Sequence, residues 1–201
     1  MRDESCLRWS WALAALLMTA TASRAFDDDL SWSRAGRGDV YFIFQTLGSD
    51  ATTGLDGTAE IEMDDGEAYG AGLGWNFTDH FNVNTEVFFG DAGFRGTSAS
   101  NPGVVVREDT DIWAWQANLD YNILKSRLTP LVTGGLGVMG WHSDVITERN
   151  FSYNLGAGAR WDVAENLAMK LLYRVTWTEI EDADDPFEFD GLTFELIYMF
   201  P

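Results

Sequence analysis

One cysteine stands in the 201 residues, and it is Cys6, inside an N-terminal stretch that reads as a secretory signal with no small-residue lipobox ahead of it. The mature chain is therefore expected to carry no disulfide, no thiolate metal site and no lipid anchor. Basic residues are scarce as well: 13 Lys and Arg stand against 32 Asp and Glu, a formal net charge of -19. Cleavage after Ala25 removes Arg2, Arg8 and Arg24 with Asp3 and Glu4, which takes the charge to -20. A chain of that sign repels phosphate backbones, so nucleic acid is excluded as a partner. Long apolar runs are missing too. The best, from Trp9 to Ala20, falls short of the ~20 residues a spanning helix needs and belongs to the signal. If this protein enters a bilayer, it does so as a closed sheet.

What the sequence has in quantity is alternation. From Tyr153 every second residue is Leu155, Ala157, Ala159, Trp161 and Val163, while the intervening row is Ser152, Asn154, Gly156, Gly158, Arg160 and Asp162. After a break at Ala164-Glu165-Asn166 the pattern resumes with Leu167, Met169, Leu171, Tyr173, Val175 and Trp177 against Ala168, Lys170, Leu172, Arg174 and Thr176. A period of two places one row on each face of a strand. Two strands of roughly ten residues, against the five or six usual in soluble sandwiches, suit a barrel with lipid outside and polar groups inside.

The same pattern predicts six more strands: 39–47, 69–77, 81–89, 113–121, 128–140 and 191–200. In the second of these Gly70, Gly72 and Gly74 fill one face, which leaves room for bulky neighbours inside a narrow barrel. Residues 48–67, 91–109, 141–150 and 178–190 read as long loops, and they alternate with short turns near Asp79, Ser126 and Glu165. The expected fold is all-β: an eight-stranded antiparallel up-and-down transmembrane β-barrel, with the short turns and both termini at its periplasmic end. Residues 1–25 are the expected signal peptide, 26–37 a periplasmic lead segment and 38–201 the barrel domain. Trp75, Trp113, Trp161 and Trp177, with Tyr69, Tyr121, Tyr153, Tyr173 and Tyr198, are expected at the two membrane interfaces.

Ala71-Gly72-Leu73-Gly74-Trp75-Asn76, Pro130-Leu131-Val132-Thr133-Gly134-Gly135-Leu136-Gly137, Leu155-Gly156-Ala157-Gly158-Ala159-Arg160-Trp161 and the aromatic last strand together carry a resemblance. From Gly38 to Phe200 the chain resembles the small outer-membrane β-barrel proteins of Gram-negative bacteria, the outer-membrane protein A and X type. The resemblance implies export to the outer membrane, contact with its lipid and lipopolysaccharide, and recognition of the terminal strand by the barrel-assembly machinery. It leaves function open, because such barrels serve as anchors, adhesins, lipid enzymes and narrow pores. The chain departs from the family in placing Pro201 after the terminal aromatic Phe200 and in showing no peptidoglycan-binding domain after the barrel, so no tethering role is implied.

The inward rows supply the candidate site, a lumen charge network of Glu86, Asp120 and Glu195 with Arg160, Lys170 and Arg174. Buried charges persist only when paired, so three acids facing three bases read as a salt-bridged plug, with a gated pore lining as the alternative. His142 and Ser143 are the candidate pair for a lipid-A-modifying enzyme. Adjacent side chains on a strand point to opposite faces, so no catalytic residues are assigned. His80 beside a turn reads as structural. The run Glu181-Asp182-Ala183-Asp184-Asp185 lacks the spacing and glycine of a calcium loop, so no metal site or cofactor is assigned and divalent cations are expected only as contacts of the acidic loops. Arg37-Gly38-Asp39 spells an adhesion tripeptide at the periplasmic start of the first strand, out of reach of another cell. The leading expectation is a non-enzymatic surface scaffold displaying acidic loops, against a lipid-A-modifying enzyme or a narrow channel.

Overall fold

The computed structural model describes residues 33–48, 52–55, 59–98, 101–142, 147–179 and 186–201. The expected signal peptide and most of the lead segment lie outside them. The strands are β1 Gly38–Leu47, β2 Thr52–Leu55, β3 Ala59–Asn76, β4 Phe81–Ser98, β5 Asn101–Asn122, β6 Leu128–His142, β7 Thr147–Ala164, β8 Leu167–Thr178 and β9 Phe187–Phe200. Each of β3 to β9 pairs antiparallel with its sequence neighbour, and β1 pairs with both β3 and β9. Gly38 faces Trp75 on one side and Phe200 on the other, so the sheet closes into a barrel of eight strands. The short β2 stands outside that ring, paired to β3 alone.

The alternation in the sequence sets the two surfaces. Leu73, Leu119, Leu136, Leu155, Leu171 and Leu192 are each about half exposed on the outer wall. Such a band of apolar side chains is stable only against lipid, since no soluble monomer leaves so large a contiguous apolar surface to water. Aromatics border it: Trp75, Phe81, Tyr121, Trp161, Tyr198 and Phe200 stand near the short turns, and Tyr69 and Phe89 near the other end. Tyr153 and Trp177, paired across β7 and β8, stack with ring centroids 5.3 Å apart.

The inside is filled in layers. Towards the end away from the short turns, Phe88, Ile112, Met139, Trp141, Phe187 and Phe189 form an apolar cluster. Trp141 meets Phe187 and Phe189 edge-on at 6.0 and 5.8 Å, a geometry the ring quadrupoles favour. A second cluster joins Tyr41 and Ile43 of β1 to Ala168, Ile197 and Met199. These inward residues of β1 explain why that strand reads as apolar on both faces. Gly72 in the glycine row of β3 is what admits the Tyr41 ring. A Cβ on Gly72 would run into the Tyr41 ring, and one on Gly70 into the backbone of β4.

All four expected loops are shorter than their sequence suggests, and the last, 178–190, gives Thr178 to β8 and Phe187 through Asp190 to β9. Residues 48–67 read as a loop, yet β3 begins at Ala59 and pairs with β2, with Thr52 opposite Glu62. Residues 91–109 also read as a loop, but β4 and β5 continue as a ladder to Ser98 and Asn101, leaving 99–100 between them. Residues 141–150 contain the end of β6 and the start of β7, with Trp141 pointing inward. The apolar period stops where lipid stops, whereas the hydrogen-bonded ladder continues into water.

Candidate functional site in the barrel lumen

Five of the six charged residues expected in the lumen meet in one group. Lys170 Nζ on β8 lies 2.6 Å from Asp120 Oδ2 of β5 and 2.9 Å from Glu195 Oε2 of β9. Arg174, two inward positions further along β8 beyond the buried Leu172, pairs through Nη1 with Glu86 Oε1 of β4 and through Nη2 with Glu195 Oε1 at 3.8 Å. Acid and base thus alternate as Asp120, Lys170, Glu195, Arg174 and Glu86 across the barrel. None of the five exceeds 3% exposure, so each charge depends on its partners rather than on water. Thr133 Oγ1 donates to Asp120 Oδ1 at 2.7 Å, and the Tyr41 hydroxyl donates to Asn84 Oδ1 at 3.0 Å. Lys170 Nζ also sits 5.4 Å from the centroid of the Tyr41 ring.

Arg160 lies elsewhere. It is fully buried in the lumen, but its partners are Asp39 Oδ2 of β1, 3.2 Å from Nη1, and Asp162 Oδ1 on its own strand, 3.0 Å from Nε. Asp162 binds a second guanidinium through its other oxygen, that of Arg34, with Nε and Nη2 at 2.8 and 2.6 Å. Asp39 takes two further hydrogen bonds, from Asn76 Nδ2 and Asn82 Nδ2, both 3.0 Å. This second group, two acids and two bases, fills the short-turn end.

Side-chain amides connect the groups. Asn84 Nδ2 donates to Asn82 Oδ1 at 3.1 Å, Asn118 Nδ2 to Asn84 Oδ1 at 3.1 Å, and Asn154 Nδ2 to Asn118 Oδ1 and Gln116 Oε1, each at 2.9 Å. The chain of polar contacts therefore runs from Asp39 through four strands with no apolar gap. The six-residue expectation lacks Asp39, Asp162 and Arg34. Asp162 stands two residues from Arg160 in the same inward row, so the alternation carried its signal. Arg34 comes from an irregular segment, where no periodicity points to an interior position.

The remaining candidates fall apart from this site. His142 is exposed at the end of β6, while its neighbour Ser143 lies outside the described residues. Residues 181–185 of the acidic run also lie outside them. His80 Nδ1 is 2.7 Å from the Asn122 carbonyl and its ring stacks on Tyr121, contacts that tie a turn to β5. The tripeptide at 37–39 places its carboxylate, Asp39, inside the barrel and 2% exposed. Among the described residues no three His, Cys, Asp or Glu side chains converge to hold a metal ion.

A closed antiparallel barrel of eight strands, lipid-facing outside and ion-paired inside, is the architecture of an outer-membrane protein. The chain matches the family model of the outer membrane protein beta-barrel domain over residues 12–200, and it belongs to that family. Its place is the bacterial outer membrane, and in barrels of this kind the short turns face the periplasm. The fold is similar to that of the outer membrane protein OprG from Pseudomonas aeruginosa, with a TM-score of 0.62 and 13% identity over 86% of this chain and 99% of that one. It is also similar to Neisserial surface protein A, with a TM-score of 0.55 and 10% identity over 82% and 96% of the two chains. The outer membrane protein AlkL gives 0.51 and 14% over 86% and 93%. No curated protein matches in sequence.

Proposed function

We propose that this protein is a non-enzymatic outer-membrane scaffold, closed to solutes, whose working surface is a raised wall of strands on the extracellular side. The observation that carries this reading is the contrast between a filled lumen and over-long strands. β3 and β4 have 18 residues each and β5 has 22. A tilted spanning strand needs about 9 to 11, so each has roughly 7 to 13 residues beyond the bilayer, or ~25–45 Å of strand. With β2 added at its edge, this wall lifts the hairpin tips well clear of the membrane.

A row of charge marks its base. Glu67, Asp91 and Asp111 are Cα partners across β3, β4 and β5, and His142 faces Asp111 across β6. All four are exposed. Like charges directly opposite one another cost stability unless something neutralises them. Beside the outer leaflet, divalent cations shared with lipopolysaccharide phosphates suit that need, and the row supports contact with lipopolysaccharide as one role of the wall.

Conductance across a planar bilayer tests the closed reading, with a silent membrane expected. Discrete current steps that change on Arg174→Met would establish a pore instead. The lipid A mass profile of cells with and without the protein is expected to be the same. An acyl change abolished by His142→Ala would replace the scaffold with an enzyme.

A further inference from the structure

We propose that the periplasmic mouth of the barrel is a guanidinium-binding site, occupied in cis by Arg34, and that its occupancy closes the barrel at this end. Arg34 precedes the first strand, yet its side chain is 0% exposed. Its guanidinium meets oxygens from three separate elements. Nε and Nη2 bind Asp162 Oδ2 of β7, Nη1 donates to the Asp79 carbonyl in the β3–β4 turn at 3.1 Å, and Nη2 donates to the Ser126 carbonyl in the β5–β6 turn. Acceptors spread around a planar donor set in this way match the fork of a guanidinium, and an ammonium, as a point charge, cannot reach all of them.

The receptor is built without help from its occupant. Asp162 is held by Arg160 through its other oxygen, and its own N–H donates to the Arg127 carbonyl at 2.7 Å. Asp79 is fixed by Lys125, whose Nζ lies 2.8 Å from Oδ2. The segment that delivers Arg34 is anchored mainly through its backbone. Ser33 Oγ and the Arg34 N–H donate to Asp79 Oδ1 at 2.6 and 2.8 Å, and the Gly36 N–H donates to the Asn76 carbonyl at 2.7 Å. Gly36 has φ of 79°, the left-handed conformation that turns the chain from this anchor into β1. Truncating Arg34 therefore leaves an acidic, oxygen-lined pocket at the mouth, directly below Arg160 and its β6 neighbour Thr129.

The test uses the mature barrel, without residues 1–25 and so without a native cysteine, folded in detergent. Arg34→Ala is expected to lower the thermal midpoint. Millimolar methylguanidinium should restore it saturably, methylammonium at equal ionic strength should restore much less, and the parent protein should respond to neither. Adding Asp162→Asn to Arg34→Ala should remove the rescue. Closure is read separately at Thr129→Cys, a buried position inside the mouth. That thiol should resist a small charged methanethiosulfonate in the parent, react many-fold faster with Arg34→Ala, and be protected again by methylguanidinium. Equal rescue by both cations, or rescue that survives Asp162→Asn, overturns the site. Equal labelling with and without Arg34 overturns the closure. If Arg34→Ala fails to fold, Arg34→Lys gives the same reading, with labelling faster than in the parent expected and parent-like protection against it. None of these outcomes depends on what the extracellular wall contacts.

Discussion

The two ion groups inside the barrel follow opposite designs. The central group is drawn wholly from strand residues and alternates three acids with two bases, each charge leaning on two neighbours or on one neighbour and a hydroxyl. The periplasmic group balances two acids against two bases, and it takes one base from a segment outside the barrel. Amide groups of Asn76 and Asn82 share the load there. The central group is thus a chain in which removing one link exposes two charges, whereas the periplasmic group is a cluster in which each acid keeps a second donor.

The largest effect is expected where the chain is cut. Arg174→Met leaves Glu86 without its ion pair and weakens Glu195, and losing one partner of a buried pair costs about 3 to 5 kcal/mol. The midpoint of heat or urea unfolding in detergent should fall accordingly, and adding Glu86→Gln should return part of the loss. A loss no greater than that of Glu165→Gln, an exposed turn residue, would mean that water fills the lumen and the chain carries no weight.

A smaller loss is expected in the cluster. Arg160→Met leaves Asp162 with Arg34 and Asp39 with two amide donors, so the cost should be nearer that of a lost charge-assisted hydrogen bond, about 1.5 to 3 kcal/mol. A loss equal to that at Arg174 would erase the distinction between chain and cluster. The same urea series run on both variants decides it.

The smallest is expected at the rim, at Asp79. Partial burial pushes its carboxyl up, but hydrogen bonds from Lys125, Ser33 and the backbone of Arg34 and Ala35 outweigh burial and hold it at about 2. A group depressed from 3.8 to about 2 stabilises the fold fully above its unfolded value and loses that contribution as pH falls through about 2. Asp79→Asn should therefore cost ~0.2–1 kcal/mol at neutral pH, as partly exposed pairs do, and that difference should shrink between pH 4 and 2. A difference that stays constant over this range would assign the effect to shape rather than charge.

The contrast between chain and cluster also separates what could be read from the sequence from what could not. Parity along a strand says which way a side chain points, and it sent Glu86, Asp120, Lys170, Arg174 and Glu195 inward. It says nothing about depth. Arg160 shares the parity of the central bases and is the Cα partner of Lys170, yet it pairs with Asp39 and Asp162 rather than with the central acids. Partners depend on register and barrel stagger, which closure of the whole sheet sets. The wall above the membrane was invisible for a related reason. Outside lipid both faces of a strand carry polar residues, so the hydrophobic period vanishes while the ladder goes on. Trp141 shows the cost of ending a strand at a glycine. It continues the parity of Thr133 and Met139, but the strand read as ending at Gly140 just before it.

The contact between Arg34 and Asp162 spans 128 positions of the chain. Its acceptors sit on β7 and on two turns that exist only once β3 to β6 are paired, so it forms after nearly all of the barrel has assembled. An interaction absent from the rate-limiting step of folding leaves the folding rate alone and acts on the way out. Arg34 is accordingly expected to act as a brake on unfolding: its loss should shorten the lifetime of the folded barrel without slowing its formation.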